Sequence, residues 1–266
     1  MRALRLPSPE RRRILLRRAL PHGPWDLVRQ LALFAAAYYL YRIVRGAVDG
    51  EAAVAFENAR DIISVERSLH LFFEPAVQSW NAGVGLLNDF ASWMYINAHF
   101  VLTVVSLAWI YLFRNASFYF VRNMFMVAMA LALVLYVVYP TAPPRFFPEW
   151  GFSDSVAGFV GFDTDQSAVS ALVNPYAAVP SMHVAFALMV GLSLSRLVRL
   201  RWLKMAWLGY PLVMTWVVIV TGNHWWVDAL LGALTAGAAA LAAKELLARA
   251  RPDAWAFRPG RAGATI

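Results

Sequence analysis

The sequence predicts an all-α integral membrane protein: a six-transmembrane-helix bundle with amphipathic outer-surface helices between the first two spans. Three observations carry that reading. Of the 266 residues, 60% are apolar and 15% charged, whereas soluble domains hold about 25% charged residues. Apolar runs of about twenty residues, long enough to cross the hydrocarbon at ~1.5 Å per residue, recur six times. Lys and Arg gather in short stretches flanking those runs, as cytoplasmic connections do.

Residues 1–24 form a basic N-terminal segment with seven arginines among leucines, suited to anionic head groups on the cytoplasmic face. The first span covers about Trp25 to Val48. It ends on Tyr38-Tyr39-Leu40-Tyr41-Arg42 and not on a small-residue cleavage site, so it is expected to stay attached. Residues 49–82 carry Asp49, Glu51, Glu57, Asp61, Glu66 and Glu74, with Val54, Ile62, Ile63, Leu69 and Phe72 at helical spacing. They predict one or two amphipathic helices on the outer membrane surface.

The second span covers about Phe90 to Phe113 and the third about Tyr119 to Tyr139, joined by a turn bearing Arg114. A polar loop over 140–178, rich in Pro and Gly, is the longest connection, and such loops in compact proteins tend to be functional. Three more spans follow: about Val179 to Ser195, Met205 to Val220 and Trp225 to Leu247. The sixth carries a close-packing stripe at Ala229, Gly232, Ala233, Ala236 and Ala240. Residues 25–247 thus form one six-span domain, and 248–266 a basic cytoplasmic tail.

Counting Lys and Arg by side gives 19 within (8, 2, 4 and 5 by segment) against 5 without. Both termini then face the cytoplasm, and the 140–178 loop faces out, as in a multi-pass cell-membrane protein. The net charge of +8 follows the flanks of the spans. It predicts a membrane partner and no nucleic acid. The absence of cysteine excludes disulfides, thiolate metal sites and a cysteine nucleophile.

His224 is followed four residues later by Asp228, so both side chains share one helix face and the carboxylate can fix the imidazole tautomer. An aspartate one turn inside an apolar helix is costly unless it has such a partner. His183 follows Val179-Pro180-Ser181, where Pro suits a first turn and Ser a cap. The free N–H groups there favour an anion, to which His183 could deliver a proton. The stretch from Asn174 through Tyr176 to Ser181 reads as a phosphate cradle, and Arg145, after Pro143-Pro144, offers a planar fork for phosphate oxygens. Two histidines, one aspartate and one arginine on one face predict phosphoryl transfer, with one histidine attacking phosphorus and the other protonating the departing alkoxide. Two His and one Asp make a poor zinc set, so neither metal nor cofactor is expected. His99 and Asn97 could line the site, but packing or an interhelical hydrogen bond is the stronger expectation for them, and an interfacial belt for Trp225 and Trp226.

Pro180-Ser181-Met182-His183 and His224-Trp225-Trp226-Val227-Asp228 resemble the second and third signatures of the type 2 phosphatidic acid phosphatase superfamily. The resemblance covers mainly 139–237. It implies His224 as nucleophile, Asp228 as its orienting partner, His183 as acid and base, and Ser181 as a phosphate holder. Val138 stands where the phosphatase pattern has Lys, Val217-Val218 where it has Ser-Arg, and Met182 where it has Gly. A phosphodiester carries one negative charge and needs fewer cations than a monoester. The departures therefore resemble the inositolphosphotransferase and inositol phosphorylceramide synthase branch. A lipid phosphotransferase using a polyol or lipid hydroxyl acceptor is implied. A lipid phosphate phosphatase and a non-catalytic lipid transporter or scaffold stand as alternatives.

Overall fold

The computed structural model describes residues 20–47, 52–161 and 176–259. Asn174, most of the basic N-terminal segment and the end of the tail lie outside them, as do the side chains of Arg42 and Arg45. Ten helices follow in order among the described residues: α1 (Pro24–Ala47), α2 (Ala52–Ser68), α3 (Glu74–Ala82), α4 (Gly85–Phe113), α5 (Asn115–Val138), α6 (Ser155–Val160), α7 (Met182–Leu197), α8 (Arg201–Val220), α9 (Trp226–Ala250) and α10 (Pro252–Trp255). No β-strand occurs among the described residues.

Four helices, α4, α5, α8 and α9, are long and apolar enough to cross a membrane. They make this a membrane protein. Where six such runs were expected, α1 has the length but bears Asp26, Arg29, Arg42 and Arg45. The apolar α7 has only 16 residues, because Ser181 caps it and delays its start to Met182.

The outer faces of these helices expose Phe100, Val101, Leu212, Leu234 and Leu241. An apolar belt of that extent is stable only against another apolar phase. Inside, α7 packs most extensively on α8, and then on α9. Small and β-branched residues fill that interior, among them Ala185, Val190, Val217, Val218, Ala236 and Ala239. Pro211 of α8 has no N–H to give the Trp207 carbonyl, and α7 comes in at that point. A Cβ on Gly191 would lie 2.4 Å from the Trp207 oxygen, so only glycine lets the two backbones meet.

A second, smaller cluster covers the end of the bundle that holds the histidines. In it Ala55, Ala59, Ile62 and Ile63 of α2 meet Ala142, Phe147 and Phe152 of the polar loop and Trp225. The loop closes on itself, since Thr141 N donates to Tyr176 O (2.7 Å) and Ala178 N to Thr141 O (3.3 Å). Trp225 is not interfacial: it is 0% exposed, its Nε1 donates to Ala142 O at 3.1 Å, and its ring abuts Phe147 and Phe152. Its indole finds a backbone acceptor inside the protein, which removes the reason for sitting at a wet boundary.

Candidate active site

His183 lies in the first turn of α7 because Ser181 is the N-cap, its Oγ accepting from Val184 N at 3.5 Å. Pro180 therefore sits outside the helix and not in its first turn. The Pro180 carbonyl accepts from Tyr136 Oη at 3.1 Å. The starts of α7 and α9 are joined directly, since Ser181 N donates to Asp228 O at 3.0 Å. Gly232 makes that contact possible: a Cβ there would lie 2.3 Å from Ser181 O.

His224 occupies the turn between α8 and α9, its N–H bonded to Val218 O. Its Nδ1 lies 2.9 Å from Ala178 O and 3.3 Å from Asp228 Oδ2. Both are acceptors, so Nδ1 carries the proton and Nε2 keeps its lone pair. Asp228 is 0% exposed, and its Oδ2 also accepts from Trp225 N at 2.9 Å. One carboxylate oxygen thus caps the helix and steers the imidazole at once. The His183 and His224 rings lie 5.9 Å apart between centroids.

Arg145 is on the same rim. Its Nη1 donates to Asn223 Oδ1 at 2.7 Å, its N–H to Gly222 O at 2.8 Å, and its Nε lies 3.4 Å from Asp154 Oδ2. Tyr176 is placed by its carbonyl bond to Thr141, with its ring beside Phe56 and Phe146. The structure thus brings His183, His224, Asp228, Ser181 and Arg145 to one end of the bundle, while Tyr176 belongs to the aromatic wall of the loop.

A family model described as the PAP2 superfamily matches residues 60–242, which contain every one of these side chains. The chain belongs to the PAP2 superfamily. Members of the PAP2 superfamily are phosphatases or phosphotransferases, and membership points to a lipid phosphate activity of that type. No curated protein and no solved structure matches it.

Further residues stand around this PAP2 site. Tyr95 stacks on His183 at 4.3 Å between centroids. His99 makes the interhelical bond expected of it, Nδ1 to Tyr210 Oη at 2.7 Å, and its ring also lies 5.0 Å from that of His183. Glu66 and Glu74 were counted as acids of outward-facing helices, yet both are 0% exposed. Glu74 accepts from Trp226 N at 3.1 Å and from Phe73 N at 3.0 Å, so it holds the first residue of α9. Both oxygens of Glu66 lack a donor. Burial and the neighbouring Glu74 push the Glu66 carboxyl up to about 9, and burial raises Glu74 as well. Glu66 is then the neutral acid of the pair. A sequence signal for Glu66 existed, because it continues the face marked by Ala55, Ala59, Ile62 and Ile63.

Proposed function

We propose that the chain is a lipid phosphotransferase that moves a phosphorylated head group, inositol phosphate being the leading candidate, from a lipid to a hydroxyl acceptor through a phosphohistidine. The observation that supports it most is His224, whose Nδ1–H is held between Ala178 O and Asp228 Oδ2 while the other nitrogen stays available. In the first step His224 Nε2 attacks phosphorus, an N–P bond forms, and the P–O bond to the lipid breaks as His183 protonates the departing alkoxide. In the second step the acceptor hydroxyl attacks phosphorus, gives its proton to His183, and the N–P bond breaks. Ser181, Pro180, Asn174, Tyr176 and Arg145 form the substrate-holding side in this reading. Helices α1 and α7 complete six spans, α2 and α3 lie on the outer face, and the site opens to the extracytoplasmic leaflet.

Few cations serve the phosphate, which favours a singly charged diester donor. Val138 is 71% exposed at the end of α5, and Val217 and Val218 are sealed in the core, so none of the three positions supplies a charge. Arg145 shares its own charge with Asp154. The test is purified protein incubated with phosphorus-labelled lipid, with and without a polyol. Labelled polyol phosphate is the expected product. Free phosphate from a monoester, with no acceptor product, overturns the transferase in favour of a phosphatase. Lipid turnover unchanged by His224→Ala and Asp228→Ala would leave only a transporter or scaffold.

A further inference from the structure

A second polar site lies at the other end of the bundle. Arg122 and Val138 are on opposite ends of α5, on the order of 25 Å apart at ~1.5 Å per residue. Around Arg122 a hollow of about 450 Å³ opens between the start of α1, the first turns of α5 and the segment entering α10. Arginines enter it from three elements: Arg29 of α1, Arg122 of α5, and Arg251 just before α10.

Their charges are poorly answered from within. Asp26 is the acid among the lining residues, and its carboxylate accepts from Tyr119 Oη (2.6 Å), Tyr111 Oη (3.0 Å) and Gln30 Nε2 (2.9 Å). Arg122 is 7% exposed and donates to Gln30 Oε1 at 2.8 Å and to Asn123 Oδ1 at 2.7 Å, both neutral acceptors. Among the described residues no carboxylate pairs with it. Buried guanidinium groups are stable when paired; Arg122, with the Tyr119 and Trp255 rings 5.1 and 5.8 Å from its Cζ, has only neutral acceptors and lines a cavity large enough for a tetrahedral oxyanion. Beside the hollow, Trp25, Val28 and Leu31 of α1 are exposed and form an apolar track along the same helix.

We propose that this hollow holds one phosphate group, carried by an acidic lipid or by a soluble phosphate compound. The planar forks of the arginines suit phosphate oxygens. The apolar track offers acyl chains a path away from a lipid head group. The site is separate from the one that turns over substrate, and its occupant is a structural or regulatory ligand.

The test measures Tm of the full-length protein in detergent during titration with dioctanoyl phosphatidylglycerol, dioctanoyl phosphatidylcholine or inorganic phosphate. Phosphatidylglycerol should raise Tm saturably and phosphatidylcholine should not. The exposed pair Arg29→Gln with Arg251→Gln should leave the ligand-free Tm unchanged and raise the half-saturating concentration by about tenfold, from the loss of charge-assisted bonds. Arg196→Gln with Arg201→Gln, exposed and outside the lining of the hollow, should change neither. An effect of inorganic phosphate alone, with the same dependence on Arg29 and Arg251, assigns a soluble ligand. An effect of phosphatidylglycerol alone assigns a lipid. The proposal is overturned if no probe shifts Tm, if phosphatidylcholine acts equally, or if the control pair weakens binding as much as the pair in the hollow.

Discussion

His224 Nδ1 has two acceptors, and the closer is the main-chain oxygen of Ala178 at 2.9 Å, not the carboxylate at 3.3 Å. Asp228→Asn therefore leaves one tautomer-fixing bond in place. We expect turnover to fall by roughly 10²-fold, less than the ~10⁴-fold known where a carboxylate is the main support of a catalytic histidine. His224→Ala, which removes the attacking atom, should cost at least ~10³-fold; single-turnover rates on labelled lipid compare the two. Glu66 gives a pH signature. Its folded-state pKa is raised to about 9 from the ordinary 4.5, so the folded protein holds a proton that the unfolded chain releases, and stability declines as pH climbs through that window. Glu66→Gln keeps a neutral donor beside Glu74, so Tm should vary less between pH 5 and 9 than in the parent chain. Equal slopes in the two proteins would show that Glu66 does not hold that proton. His183, His224 and Asp228 were legible because spacing four residues apart and a Ser cap are local signals. The Ala178 carbonyl was not, since backbone acceptors carry no side-chain signature.

The element contacts that matter are backbone contacts. Helix α9 reaches the cap of α7 through Gly232, and α7 reaches α8 through Gly191. Sequence showed Gly232 within a small-residue stripe, but which neighbour it met required the packed bundle. Gly232→Ala should push α9 off Ser181 and separate the two histidines. An overpacked methyl of this kind costs about 1–3 kcal/mol, so a lower Tm together with at least a tenfold loss of turnover is expected; a variant with the parent's rate would make the contact incidental. The periodicity of α2 and α3 predicts amphipathic helices on the outer membrane surface. Two of their acids instead lie under the start of α9, because a buried N–H such as that of Trp226 needs an acceptor and Glu74 supplies it.

At the scale of the molecule, apolar length and composition made the all-helical membrane class legible, while charges on α1 and the cap of α7 blurred the count of spans. Orientation can be tested directly because the chain has no cysteine. Glu149→Cys, in the polar loop, should react with an impermeant maleimide added outside intact cells, and Arg249→Cys, at the end of α9, should react only after lysis. The reverse pattern would invert the proposed topology. The bond from Ser181 N to Asp228 O works as a gauge block between the two halves of the site: the spacing of the histidines is set by main chain, and exchanges that leave Gly232 in place do not retune it. Natural variants that accept a bulkier donor or a different alcohol should therefore differ in the loop over 139–161 and in the residues facing it, while the machined gap at the bottom stays the same width.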